Sequence, residues 1–232
     1  METETLRKFG EEYFAHLKYP KREKAIKSHV LELLRWGSKN LGLNLLDGSG
    51  KSALDVGCAF GYGVSLLASL GYEAVGVDVS KFGVRQAKKR NRANDFAICD
   101  VQWNLPFKRK FDLVICLEVL EHLQNPLLAL QNMYDVCDDI ILCTTPNKTV
   151  ERIVKKILKD FDKTHVNVKT PSEWERQIKN ALGDSLVKVE CFVDFTFSVA
   201  DRLFFKSFRL PFGMDTRILI KKKGVSDEQR VH

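Results

Sequence analysis

Between Ser52 and Pro146, short apolar runs alternate with amphipathic ones, and this alternation restricts the fold more than any other feature. "SALDV", "EAVGVDV", "DFAICD", "FDLVICL" and "DDIILCTTP" have the length and apolar content of strands. Between them, "YGVSLLASLG" stops at Gly71, "SKFGVRQAKKRNRAN" opens on Ser80 as an N-cap, and "NPLLALQNMYDVC" carries Pro126 in its first turn. All three are marks of helices. Strands alternating with helices build parallel β-α-β units, and near-continuous apolar strands are buried on both faces. The expected fold is an open, mostly parallel α/β sheet of about seven strands with helices on both faces. "SLVKVECFVDFTFSV" and "DTRILIKKK" are expected to close it as a C-terminal antiparallel hairpin.

Around this unit the chain divides simply. Residues 1–44 read as a helical extension, with Leu31, Leu33, Leu34, Leu41 and Leu43 crowding one face around Trp36. Residues 45–223 form the main domain, with substrate-side insertions within about 147–214, and 224–232 read as a flexible tail. No apolar run approaches the roughly 20 residues that span a bilayer. The charged start "METETLRKFGEEYF" has no secretory pattern, and Cys58, Cys99, Cys116, Cys137, Cys143 and Cys191 form no CxxC pair. Buried, reduced thiols in a cytoplasmic protein are the expectation, with no metal ligands assigned. The net charge of +7 is uneven: residues 1–147 hold 19 basic and 18 acidic residues, residues 148–223 hold 17 and 10. A basic C-terminal third attracts nucleic acid or another anion, or is simply a solvated face. There "FVDFTFSVADRLFFKSFRLPFG" interleaves aromatic and basic residues. It suits core packing, an apolar acceptor site or RNA stacking.

The chemistry sits where the strands end. In open α/β sheets, ligands bind beyond the carboxyl ends of the strands. "DVGCAFGYG" follows the first strand with Gly57, Gly61 and Gly63 spaced G-x-x-x-G-x-G, which differs from the dinucleotide fingerprint G-x-G-x-x-G. Asp55 precedes that turn, Asp78 ends the second strand and Asp100 the third. A carboxylate in Asp55's position repels a pyrophosphate and favours a cationic group. Asp78 is placed for ribose hydroxyls, although it also suits capping of the amides after it. Asp100 and Val101 suit an adenine edge, although a loop aspartate also makes turns. The implied ligand has a ribose, a base and a positively charged end.

In order, "LDVGCAFGYG", "GVDVS", "ICDVQWNLPF" and "FDLVICLEVLEHL" resemble the class I S-adenosylmethionine-dependent methyltransferases. The likeness is to the small-molecule branch, whose fourth strand leads into an E-H-L turn. "THVNVKTPSEWERQI" is similar to the same branch. The resemblance covers roughly Ser52–Asn180 and implies a Rossmann-like sheet with S-adenosylmethionine as cofactor. It implies that Gly57, Cys58 and Gly61 hold the methionine part and that Asp55 anchors the turn or the ammonium. Asp78 and Val79 would take the ribose, Asp100 and Val101 the adenine, and Leu117 would border the sulfonium. Glu118 and His122 are the candidate catalytic residues, with histidine titrating near neutrality. The bland alternative makes Glu121 and His122 a pair that only shapes the turn. Glu121, His165 and Trp103 are the candidate substrate-lining residues, with Trp103 placed to pack over the adenine site. A small-molecule acceptor is expected. An RNA acceptor and a non-catalytic cofactor-binding subunit stay open, while the glycine spacing argues against a nicotinamide-dependent reductase.

Overall fold

The computed structural model describes residues 8–103, 105–157, 164–199, 202–209 and 213–223, and side chains at 154–157, 194–199 and 202–209 lie outside that description. The elements begin with α1 (Glu11–His16), a 3-10 turn (Tyr19–Lys21), α2 (Glu23–Leu41), β1 (Ser52–Val56), α3 (Tyr62–Ser69) and β2 (Glu73–Asp78). There follow α4 (Lys81–Arg90), β3 (Asp95–Ile98), β4 (Phe111–Leu117), a 3-10 turn (Leu120–His122), α5 (Pro126–Asp135) and β5 (Cys137–Pro146). The chain then forms α6 (Lys148–Ile157), α7 (Pro171–Leu182), β6 (Leu186–Val199), β7 (Arg202–Arg209) and β8 (Asp215–Lys221).

The strands make one sheet in the order β3-β2-β1-β4-β5-β8-β6-β7. The first five are parallel to their neighbours, and β8, β6 and β7 add on antiparallel. This is the expected Rossmann-like sheet with its antiparallel end, plus one strand. The addition is β7, whose segment carries no clean period-two signal because Phe204 and Phe205 are adjacent. Its partner explains it. β6 runs 14 residues, and Leu186–Phe192 pair with β8 while Phe192–Val199 pair with β7. The far half of β6 therefore supplies a template of free backbone groups that β7 satisfies.

Side-chain alternation divides the core into two layers. Leu54, Val56, Val114, Cys116, Ile141 and Cys143 face one side, where Leu130 and Met133 of α5 and Trp174 and Ile178 of α7 cover them. Ala53, Leu113, Ile115, Ile140 and Leu142 face the other, under Leu33, Leu34 and Trp36 of α2 and Leu66 and Leu67 of α3. Helix starts follow local chemistry. Ser80 caps α4 by accepting from the Gly83 N–H at 2.9 Å. Thr170 and Glu173 form a capping box on α7, with Pro171 in the first turn. Among the described residues no helix is long and apolar enough to cross a membrane.

Strand order reverses between β1 and β4, so the chain leaves their carboxyl ends in opposite directions. That opens a crevice at the edge of the sheet. A small aromatic cluster closes it from above. Phe14, Phe60 and Tyr62 are buried together, with Tyr13, Tyr19, Ile26 and Phe82 packed on them. Phe14 lies 4.9 Å from the Phe60 ring and Tyr19 lies 5.0 Å from it. This cluster ties the N-terminal helices to the glycine turn, and Ser80 adds a polar tie by donating to the Phe9 carbonyl at 2.6 Å.

Candidate active site

The crevice holds a cavity of about 570 Å³ at the ends of β1, β2, β3 and β4. Its floor is the turn between β1 and α3. Gly57 takes φ 79°, and a Cβ there would stand 2.2 Å from Val119 Cγ2. Ala59 and Gly61 also adopt positive φ, and the Gly57 and Cys58 N–H groups both donate to the Val77 carbonyl. Gly63 opens α3 directly against Asp55, where a Cβ would meet Oδ2 at 2.4 Å. Only a glycine lets this carboxylate lie across the helix start.

Asp55 is buried, at 5% exposure. Burial first, then the charge of Asp78, pushes its carboxyl up to about 7, against a hydrogen bond from the Val64 N–H. Asp78 stands at the end of β2. Its Oδ2 accepts from the Ala59 N–H at 2.8 Å and its Oδ1 from the Ser80 N–H at 2.7 Å. It thereby locks the glycine turn to the start of α4, and each oxygen keeps a second lone pair for a ligand. Burial raises its carboxyl as well. Asp100 uses Oδ1 to accept from the Gln102 N–H at 2.9 Å, so it makes a turn and lines the cavity at once.

Just past the end of β4, Glu118 adopts the left-handed region at φ 53°. Such backbone in a non-glycine residue is strained and marks functional sites more often than others. The 3-10 turn then places Glu121 and His122. Glu121 is fully buried; its Oε2 accepts from the Thr145 hydroxyl at 3.2 Å. Burial, with Asp215 and Glu151 adding to it, drives its carboxyl up to about 8. His122 Nδ1 pairs with the Thr164 hydroxyl at 2.8 Å, and its Nε2 lies 3.7 Å from Glu121 Oε1. His165, 43 positions along the chain, brings its ring within 4.9 Å of His122. Glu121 holds that segment by accepting the Val166 and Asn167 N–H groups on its backbone carbonyl. Donor atoms of Glu121, His122 and His165 all lie within 4.8 Å of one another, although the sequence assigned no metal ligands.

Asp55, Gly57, Cys58, Asp78, Val79, Asp100, Val101, Leu117, Glu118, Glu121, His122 and His165 thus line one cavity. Gly61 does not: it starts α3 from behind, where a Cβ would press on Phe96 and Asn91 at 2.9 Å. Trp103 does not either. Its side chain is 76% exposed, because Asn132 of α5 holds the Val101 and Trp103 carbonyls and turns the loop outward. Sequence reasoning missed the N-terminal wall. Phe9, Tyr13, Phe14, Leu17 and Tyr19 line the cavity, as do Arg22 just before α2 and Ala25, Ile26, His29 and Val30 along it. The signal was the aromatic density of "KFGEEYFAHLKYPK", legible as a wall only with the fold known. Burial, then the charges of Asp78 and Asp55, raises the Tyr19 hydroxyl well above its usual range. Burial and then Arg217 lower His29 to about 4, which keeps it neutral.

Residues 54–139 match the family model described as a methyltransferase domain. The ubiquinone biosynthesis O-methyltransferase of Glaesserella parasuis serovar 5 (strain SH0165) is 30% identical over 134 residues, covering 53% of this chain and 56% of that protein. The enzyme of the same name from Haemophilus ducreyi (strain 35000HP / ATCC 700724) is 28% identical over 164 residues, covering 66% and 69%. The matches thus span little more than half to about two thirds of these relatives. The plantazolicin methyltransferase BamL, solved with a triazolic desmethylPZN analog and SAH, superposes with a TM-score of 0.69 at 16% identity over 94% of this chain and 93% of that one. Magnesium protoporphyrin IX methyltransferase from Synechocystis PCC 6803, with bound SAH, gives 0.59 at 18% identity over 85% and 83%. Residues 54–139 are thus similar to a methyltransferase domain, and the chain shares the Rossmann-like fold of these solved methyltransferases.

Proposed function

We propose that this protein is an S-adenosylmethionine-dependent methyltransferase acting on a small-molecule acceptor in the cytoplasm. The observation that carries the reading is the convergence of Asp55, Asp78 and Asp100 with the glycine turn on one cavity at the sheet's switch point. Asp78 takes the ribose hydroxyls on its remaining lone pairs. Asp100 and Val101 flank the adenine. Gly57 and Cys58 bring bare backbone to the methionine end, and ionised Asp55 favours its ammonium. Leu117 and Glu118 border the sulfonium. The bound cofactor supplies a methyl on an already activated leaving group, so the protein's work is to align the acceptor and exclude water. Tyr13, Phe14 and Tyr19 from the N-terminal segment close the cavity over that reaction. His122 is the candidate base for a protonated acceptor.

The cavity wall favours a small molecule over RNA. Arg22 is the one Lys or Arg among its described lining residues, and the rest of the N-terminal wall is aromatic or apolar apart from His29. In domain terms, residues 1–44 extend the domain of 45–223 and supply this acceptor wall, with the segments within about 147–214 on the substrate side.

Titration calorimetry with S-adenosylhomocysteine tests the cofactor assignment. Hydrogen bonds to a charged group contribute roughly 1.5–3 kcal/mol each, so losing the ribose contacts in Asp78→Ala should weaken binding about 100-fold. Unchanged affinity would overturn the assignment. Catalysis itself is tested by asking whether a cell extract, given labelled cofactor, transfers label to a small molecule.

A further inference from the structure

We propose that Glu121, His122 and His165 form a binding site for a divalent transition-metal ion, and that the ion holds an oxygen of the methyl acceptor. The chemistry of this step rests on the methyltransferase reading, but the ligand set does not. Two imidazoles and a carboxylate suit zinc, manganese, iron or cobalt, and leave coordination positions open. The geometry is close to complete. Ligand atoms about 2.0–2.2 Å from a common ion lie at most about 4.4 Å apart. The three donors already fall within 4.8 Å of one another, so small side-chain rotations close the set.

The surroundings are those of a metal site. Glu121 is 0% exposed and its Oε1 accepts no hydrogen bond. His122 Nε2 faces that oxygen at 3.7 Å, beyond hydrogen-bond reach. A buried carboxylate oxygen with nothing to accept is costly, and a cation removes the cost. His122 is hydrogen-bonded from behind, and His165 has a carboxylate near its ring. His122 Nδ1 engages Thr164, and His165 Nδ1 lies 3.6 Å from the Glu151 carboxylate. A carboxylate or hydroxyl behind a ligating imidazole fixes its ring and raises its basicity. All three ligands line the cavity.

The acceptor is accordingly an oxygen nucleophile able to bind a metal, such as a vicinal diphenol. Coordination lowers the pKa of the hydroxyl, whose proton leaves to solvent. The metal-bound oxygen then attacks the methyl carbon. The oxygen–carbon bond forms as the carbon–sulfur bond breaks, and the electron pair stays on sulfur.

The 232-residue chain, stripped with a chelator, should develop saturable visible absorption bands on titration with Co²⁺. His122→Ala and His165→Ala should each weaken Co²⁺ binding tenfold or more, and Glu121→Gln should do the same with side-chain size kept. Bands that never appear, or that persist unchanged in all three variants, overturn the site. Should a variant unfold, the native chain still decides: Co²⁺ should raise its Tm, and no shift overturns the proposal. Catechol added to the Co²⁺ form should move the bands, whereas unmoved bands overturn the acceptor's coordination. Titration with S-adenosylhomocysteine separates the two readings: its failure alone counts against the methyltransferase, and failure of the Co²⁺ bands alone counts against the metal.

Discussion

Asp55 shows how one residue serves the fold and the ligand with opposite demands. Alone in the cavity its carboxyl is pushed up to about 7 by burial and by Asp78, against an ordinary value of 3.8. A group whose folded pKa is raised binds more protons folded than unfolded, so its contribution to stability is present at low pH and is lost as pH rises to 7. A ligand ammonium favours the ionised form instead. Binding below pH 7 must therefore expel a proton, and cofactor affinity should fall by up to about tenfold per pH unit there. Calorimetry in buffers of different ionisation enthalpy would read the released proton. Asp55→Asn should flatten the profile, and a wild-type profile already flat from pH 5.5 to 8 would contradict the assignment. The sequence put Asp78 at the end of β2, as found, and Asp55 and Asp100 near strand ends, where they lie one residue before the end of β1 and two residues past β3, because strand ends are local features. It misplaced Trp103, because the direction of that loop depends on Asn132, 29 residues away.

At the scale of elements, α1 is anchored to the glycine turn through Phe14. Phe14 is 4% exposed between the glycine turn and Tyr19. Removing a buried phenylalanine ring typically costs about 3–5 kcal/mol. Phe14→Ala should lower Tm and weaken S-adenosylhomocysteine binding together, since the same ring stabilises the helices and shapes the cavity. A Tm loss with unchanged affinity would show that the wall plays no part in binding. The antiparallel end of the sheet has its own fastening. Glu190 and Arg217 face each other across β6 and β8 and pair at 2.6 Å while each is about 9% exposed in its side chain. Arg217 also lies 4.8 Å from the Trp36 ring and 5.1 Å from the Phe192 ring. Breaking a buried pair by deleting one partner costs roughly 3–5 kcal/mol, because the other charge is stranded. Glu190→Ala should show that loss in urea unfolding, and replacing both residues with apolar ones should recover most of it. These elements were legible as a helix and two strands. Their pairing was not, since Arg217 lies 27 residues from Glu190 and 181 from Trp36.

At the scale of the whole molecule, the net charge of +7 and the aromatic wall of the cavity point to different acceptors. On the function proposed above, the wall outweighs the charge, because the acceptor would have to reach the methyl inside the cavity, where Arg22 is the one Lys or Arg among the described lining residues. Transfer to a small apolar acceptor should then be nearly insensitive to salt. Activity that falls steeply between 50 and 200 mM salt, as phosphate-backbone binding does, would favour RNA instead. What the sequence determined by itself was the alternating sheet and the loops at its carboxyl edge, because apolar periodicity, caps and glycine turns act within a few residues. What only the tertiary structure decided was the cavity's other half. α1 and α2 cover the glycine turn, β7 finds the free half of β6, and His165 reaches Glu121 and His122 across more than 40 residues. Those approaches come from packing whole surfaces together, and no local pattern in the chain encodes which surfaces meet.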